Sequence, residues 1–304
     1  MYNRLVVVAI LLFVIVSFSF AYFHEYEKYK LEYTQSYSVV SITKSYNEIS
    51  KVFTGNWQKF GQKFTILQKK YFKIVYLLLL FGIPVIFLLH YLIIGPKEFS
   101  HEGDKILVFN VFNRLVHWIT AASFTILIIS GLVIIFGSFF GGGSFVRIMR
   151  YFHAPAALVF VPFAILMFLM WVKDMIIAPG DITWFIKFGG YLSKKTDNIM
   201  PVGKFNPGQK SWFWLATLGG MVMGFTGYYI FSFDTNVDNL RLFVIIHNIL
   251  GMAMVAMFFV HLYMAIFAIK GSLKSMITGY KHEDEIRVLH CKYYKKITGK
   301  ECSR

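Results

Sequence analysis

Cysteine is almost missing from this chain: there are two in 304 residues, Cys291 and Cys302, and no Cys-x-x-Cys pair. That excludes a resident iron–sulfur cluster or zinc ribbon, which needs several thiolates at short spacing. No molybdenum-ligating pattern is present either. The Gly141-Gly142-Gly143 run is followed by neither a helix pattern nor Lys-Ser/Thr, so it is no phosphate cradle. Net charge is +15, yet no basic patch lies on a soluble domain, which argues against a nucleic-acid partner. Formal charge is absent from whole stretches. Val244 to Phe267 holds two histidines and no charged side chain.

What is present is apolar. The chain is 57% hydrophobic with a mean hydropathy of +0.57, well above the usual composition of a soluble domain. The excess falls in blocks long enough to span a bilayer, which takes about 20 residues each. Five spans are predicted: Ile74 to Ile94, Leu115 to Phe136, His153 to Ile177, Trp212 to Phe233 and Leu242 to Ile269. Residues 1–21 read as a signal peptide or an uncleaved anchor helix. Residues 22–73 form a polar, Tyr- and Lys-rich segment broken at Thr54-Gly55-Asn56.

The connections set the orientation. Loops 95–114, 173–211 and 270–304 carry three, six and nine basic residues. The opposite loops hold only Arg147, Arg150 and Arg241. The bias places the first set, including the C-terminus, in the cytoplasm. The 22–73 segment, with nine Lys, opposes the trend, and the export-type signal before it overrides its charge.

Four of the nine histidines lie within or at the ends of spans: His117, His153, His247 and His261. An ionisable group at membrane depth is costly and marks a functional site by default. His247 and His261 are fourteen residues apart, about four helical turns and roughly 21 Å of rise, about 40° short of perfect alignment. They therefore share a face at two depths. His117 opens its span from the inner side in RLVHW, and His153 opens its span from the outer side in YFHAP. The depths pair His117 with His261 and His153 with His247. Two imidazoles on one haem iron leave no open position for oxygen chemistry, so this is a pattern for carrying single electrons. The alternatives are hydrogen-bonded packing residues or a haem-free transporter using histidines as proton relays. His90 is expected at the inner interface. His24, His101, His282 and His290 lie in polar segments and are expected to be solvated. Gly219, Gly220, Gly224 and Gly227 leave room for a flat ring or for a neighbouring helix.

Several stretches within 106–279 resemble the cytochrome b (gamma) subunit of membrane-bound, quinone-reducing formate dehydrogenases. These are His117-Trp118, Ser130-Gly131, VGKFNPGQK at 202–210, Thr226-Gly227, IHNILG at 246–251 and HLYMAIFAIKGSLKSMITG at 261–279. The resemblance implies two b haems, held by His153 with His247 and by His117 with His261. It also implies a quinone site, expected to take menaquinone, at Asn206, Gly208 and Gln209 beside the inner haem. Pro207 stands where the family commonly has a small residue, which removes one backbone donor. The same Asn-Pro-Gly stretch is explained without a ligand as a turn into a helix. The partners implied are an iron–sulfur beta subunit and a molybdenum- or tungsten-containing catalytic alpha subunit. A b-type subunit of a nickel–iron hydrogenase is the nearest alternative.

The fold expected is an all-α membrane protein of the bacterial cytoplasmic membrane. It comprises a four-helix haem-binding bundle over 106–279 and an extra N-terminal transmembrane helix at 74–94. The signal or anchor, the extracytoplasmic 22–73 segment and a basic cytoplasmic tail at 280–304 complete it.

Overall fold

The computed structural model describes residues 50, 52–101, 103–193 and 199–302. The signal-or-anchor segment, His24 and the start of the Tyr/Lys-rich segment lie outside the described residues.

Among the described residues the chain is helical with one short strand pair. Helix α1 is Lys73–Ile93, α2 Val111–Ile135, α3 Gly143–Trp171 and α4 Pro179–Ile186. Helix α5 is Pro207–Trp214, α6 Gly220–Ser232, α7 Val237–Tyr263, α8 Glu283–Leu289 and α9 Cys291–Thr298. Strands β1, Lys105–Leu107, and β2, Tyr280–His282, pair antiparallel with Ile106 opposite Lys281.

Among the described residues four helical runs are long and apolar enough to cross a membrane: Val52–Ile93, Val111–Ile135, Gly143–Met175 and Val237–Ala268. The first counts 42 residues, more than the roughly 20 that one crossing takes, but it is interrupted near its start. The predicted span at 212–233 is not among the four. It is helical, running from α5 through a π-helical turn at Leu215–Gly219 into α6. Its glycines, Trp212, Trp214, Tyr228 and Tyr229 dilute its apolar character. The break expected at Thr54-Gly55-Asn56 is present, with Gly55 at φ +53°.

The chain forms two compact units. One comprises the described residues up to Tyr76, Ile119–Pro162 and Met221–Gly251. Its core includes Phe124 and Phe160, with ring centres 5.4 Å apart. Gly224 brings α6 against α3: a Cβ there would lie 2.6 Å from Val161 Cγ2. Upstream of α1, the chain is tied to the start of α7. Arg241 donates to Thr54 O and Asp238 Oδ1, both at 2.7 Å, and lies over the Trp57 ring. The Asn56 amide donates to Asp238 Oδ2 at 2.8 Å.

The other unit comprises Leu77–Trp118, Phe163–Gly220 and the described residues from Met252 onward. Its core gathers Phe109, Trp171, Phe205, Phe213, Ile286 and Tyr294. The C-terminal residues are therefore part of this core. The amide of Cys291 donates to Met200 O at 3.2 Å and that of Lys292 to Val202 O at 3.0 Å. A disulfide joins Cys291 and Cys302 across 5.9 Å between Cα atoms. Two of the histidines expected to be solvated are not. His290 is 5% exposed and its Nδ1–H donates to Gly203 O at 2.9 Å, while His282 has a buried Nδ1. The reason is that Ile286, Leu289 and Tyr294 bury themselves in the core and carry their polar neighbours inward.

Candidate functional site

The four membrane histidines stand in two pairs, one in each unit. In the first unit His153, on α3, faces His247, on α7, with ring centres 6.3 Å apart and planes at 57°. In the second unit His117, on α2, faces His261, on α7, again at 6.3 Å with planes at 53°. A metal–imidazole bond of about 2.0–2.1 Å on each side puts the two Nε2 atoms roughly 4 Å apart. Adding the distance from each nitrogen to its ring centre gives about 6 Å between centres. Both pairs have the spacing of two imidazoles on one metal.

The helices explain why each ring points where it does. In the first unit Ser130, on α2, gives its hydroxyl proton to Ile126 O at 2.6 Å, one turn back along its own helix. Its oxygen is then free to accept from His153 Nδ1–H at 2.9 Å. Thr226, on α6, repeats the arrangement. Its proton goes to Val222 O at 3.0 Å and it accepts from His247 Nδ1–H at 3.0 Å. With Nδ1 carrying the proton, Nε2 keeps its lone pair and is the atom available to a metal. The residue after each hydroxyl is glycine. A Cβ at Gly131 would lie 3.3 Å from His153 Cε1, and one at Gly227 would lie 3.4 Å from His247 Cε1. Hydroxyl and glycine together fix the ring: one holds its Nδ1 edge and the other leaves room for Cε1.

The second pair is held by rings instead. Trp212 stacks on His261 at 5.6 Å and 22°, and Trp118 meets His117 edge-on at 5.3 Å. Among the described residues His117 Nδ1 is buried without a hydrogen-bond partner. So is Nε of Arg114, one turn before His117 on the same helix. A haem fits this donor set: unprotonated Nε2 atoms for iron, and a buried cationic donor of the kind a propionate satisfies.

The loop at 202–210 is local to the second unit. Asn206 caps α5: its Oδ1 accepts from the Gln209 amide at 2.9 Å, and Gln209 Oε1 accepts from the Asn206 amide at 2.9 Å. This reciprocal box uses both side-chain carbonyls and leaves the two side-chain NH₂ groups. Pro207 occupies the first helical position, where an N–H would have no helical partner. Its departure from the family pattern therefore breaks no helix bond. Trp184 packs over Gly208, whose Cβ would lie 3.0 Å from the indole. Gln209 lines a small hollow of about 10 Å³, room for roughly one water, with Lys204, His290 and Tyr293. Just beyond, Lys210 donates to Asp181 at 2.7 Å, with side chains 6% and 3% exposed, and to Ile176 O.

Sequence reasoning missed several of these residues. Ser130 and Thr226 lay in plain view as Ser-Gly and Thr-Gly dipeptides facing two of the histidines, but the reason for them did not. The Lys210–Asp181 pair spans 29 positions and left no local signal. His90 is half-buried. It donates from Nε2 to Tyr191 O at 2.9 Å and accepts from the Tyr263 hydroxyl at 2.5 Å.

Residues 108–279 match the family described as prokaryotic cytochrome b561. The chain belongs to that family. Membership makes haem b the cofactor and the protein a multi-pass membrane cytochrome. Curated relatives narrow the resemblance. The nitrate-inducible formate dehydrogenase cytochrome b556(Fdn) subunit of Escherichia coli K12 is 29% identical over 212 residues, 66% of this chain and 96% of that one. The formate dehydrogenase cytochrome b556(fdo) subunit of the same organism is 26% identical over 204 residues, 64% and 94%. A formate dehydrogenase cytochrome b556 subunit of Haemophilus influenzae is 26% identical over 192 residues, 60% and 79%. All three alignments cover less of this chain than of the relative.

Proposed function

We propose that this cytochrome is the dihaem membrane subunit of a formate dehydrogenase, with quinone as its electron acceptor. The observation that carries the reading is the repeat of one geometry: two histidine pairs, each 6.3 Å between ring centres. The relatives' shared description as formate dehydrogenase cytochrome subunits supports the choice of outer enzyme over a hydrogenase.

His153 and His247 hold one b haem, and His117 and His261 hold the other. When bound, the two groups supply one-electron carriage from the iron–sulfur partner outside the inner membrane to a quinone, expected to be menaquinone, on the cytoplasmic side. Moving an electron inward against the membrane potential stores about 2.3 kcal/mol per 100 mV. The chain's own residues ligate, space and insulate. The two imidazoles of each pair come from different helices and would hold a haem iron between them, which would supply electron carriage and leave no position for oxygen chemistry. Asn206, Gly208 and Gln209 form the quinone contact. The amide NH₂ groups left over by the capping box donate to a quinone carbonyl, and Gly208 keeps the backbone close. The hollow beside Gln209 has room for about one water, which would hand a proton to the reduced quinone. Formate oxidation belongs to the catalytic alpha subunit.

A reduced-minus-oxidised spectrum of the purified chain, read with its haem-to-protein ratio, tests this. Two b haems per chain are expected, and a colourless chain overturns the proposal. Co-purification identifies the outer enzyme: a molybdopterin- or tungsten-containing partner is expected, and a nickel–iron partner overturns that part.

A further inference from the structure

We propose that Ser130 and Thr226 are positioning residues. They hold His153 and His247 as Nδ1–H donors and thereby set the haem between them at a lower midpoint potential than the haem between His117 and His261. The inference rests on the dihaem reading above.

A hydroxyl at mid-helix ordinarily does no more than return its proton to the carbonyl four residues back. Both hydroxyls do this, at 2.6 Å and 3.0 Å. What the local rule does not explain is that each oxygen also accepts from an imidazole on another helix, at 2.9 Å and 3.0 Å. Nor does it explain why each is followed by the glycine that clears the same imidazole's Cε1. The arrangement occurs twice, on α2 and on α6, for the two rings of one pair. The result on each side is a chain of bonds from imidazole N–H to hydroxyl to carbonyl. Each link polarises the next.

Withdrawing the Nδ1 proton toward an acceptor raises the basicity of Nε2. A more basic axial ligand favours the ferric over the ferrous state, and second-sphere hydrogen bonding is one of the levers by which a protein tunes haem potential. At the other pair the lever is absent among the described residues: nothing accepts from His117 Nδ1, and His261 is held by the face of Trp212. Each pair has an arginine three residues before its first histidine, but Arg114 has a buried Nε while Arg150 is exposed. The hydroxyl variants, and not the wild-type order by itself, therefore isolate the contribution of Ser130 and Thr226. The quantity concerned belongs to a one-electron Fe(III)/Fe(II) couple, with no proton or other group transferred. An electron entering at the His153–His247 haem then moves to a higher potential, which offsets part of the work against the membrane field.

The experiment is a potentiometric titration of membranes carrying the complete complex, followed at the b-type absorption band. His261→Ala and His153→Ala assign the couples by deleting one each. In the wild type the His153–His247 couple is expected to be the lower. Ser130→Ala and Thr226→Ala should raise that couple and leave the other in place. Ser130→Thr and Thr226→Ser, which keep the hydroxyl, should retain the wild-type order. If an alanine variant loses its haem, the conservative variants and the wild-type order still decide. Two couples in the reverse order, or a lower couple unmoved when the hydroxyls are removed, overturn this proposal alone. A single couple in the wild type overturns it together with the dihaem reading.

Discussion

The two histidine pairs have the same opening and different supports. Ring centres stand 6.3 Å apart in both. One pair is held by hydroxyls and glycines, and the other by indoles and, nearby, a buried ion pair. A shared metal would fix the opening, because a metal bond has one length. It leaves the back of each imidazole free to vary, and that is where the two sites are distinguished. On the proposed reading the tuning lies in the second sphere, and the candidate quinone loop at 202–210 falls in the same unit as the ring-held pair.

The largest effects should show that the pairs are alike as clamps. Replacing His261 or His153 by Ala should halve the haem content. Either change should reduce quinone reduction by the complex to background while formate oxidation with an artificial acceptor survives. Unequal haem loss would mean that one pair is not a ligand set. The next effect should separate the two. Lys210→Ala strands the Asp181 carboxylate, 2% exposed and already without a partner for Oδ1. Removing one member of such a buried pair costs about 3–5 kcal/mol. Thermal unfolding of the detergent-solubilised chain reads this, and the band of the His117–His261 haem should be lost first. Lys210→Met with Asp181→Leu should recover most of the loss, because packed apolar side chains replace a buried pair with little change in stability.

A smaller, acid-dependent effect also belongs to the ring-held unit. Burial pushes His290 down to about 3, with the nearby Lys281 charge adding to this and the bond to Gly203 O opposing it. A histidine with a lowered folded value is neutral in the native state. Its contribution is therefore complete above the unfolded value of about 6.5 and is lost as pH falls from there toward 3. The loss approaches about 1.4 kcal/mol per pH unit below 6.5. Limited proteolysis of the C-terminal helices between pH 7 and 4 should show faster cleavage on the acid side, and His290→Asn should flatten that profile. The disulfide joining Cys291 to Cys302 bears on the same segment. The positive-inside count predicts a cytoplasmic tail, and a cytoplasmic location would keep its thiols reduced. Labelling the tail with a membrane-impermeant maleimide after reduction tests the side directly.

The sequence made the ligands legible because each histidine is an anomaly in an apolar run, and α7 carries two of them on one face. Five spans were legible in the apolar blocks; the one at 212–233 is helical, but its glycines, Tyr and Trp leave it less apolar than the four runs long and apolar enough to cross a membrane. Hidden was whatever depends on contacts between distant segments. Ser130 reads as an ordinary helix hydroxyl until α3 brings His153 to it. His290 reads as a tail residue until Ile286 and Tyr294 bury the helices around it. The Asn206–Gln209 box shows the converse. Its Asn-Pro-Gly chemistry was readable as a turn into a helix, and it is present as the reciprocal cap of α5, so a quinone role must rest on the amide groups that capping leaves over.

The smallest expected effect tests how the extra helix is joined to each unit. In the ring-held unit α1 meets α7 through Phe87 stacked on Tyr263 at 4.3 Å and through the His90–Tyr263 hydrogen bond. In the hydroxyl-tied unit the contact narrows to Tyr76, 3% exposed, whose hydroxyl donates to Asn248 O at 3.1 Å, one residue from His247. Tyr76→Phe should cost about 1 kcal/mol and leave both haem bands in place, because the bond is to backbone and not to the ligand. Gly251→Ala should cost more, about 1–3 kcal/mol, since its Cβ would sit 2.5 Å from the Tyr76 hydroxyl oxygen. The two should not add. The Tyr76→Phe change removes the oxygen that meets the new methyl, so the double variant should be more stable than the sum of the single losses implies. Strict additivity in thermal unfolding would show that α1 is not seated on α7 at Gly251.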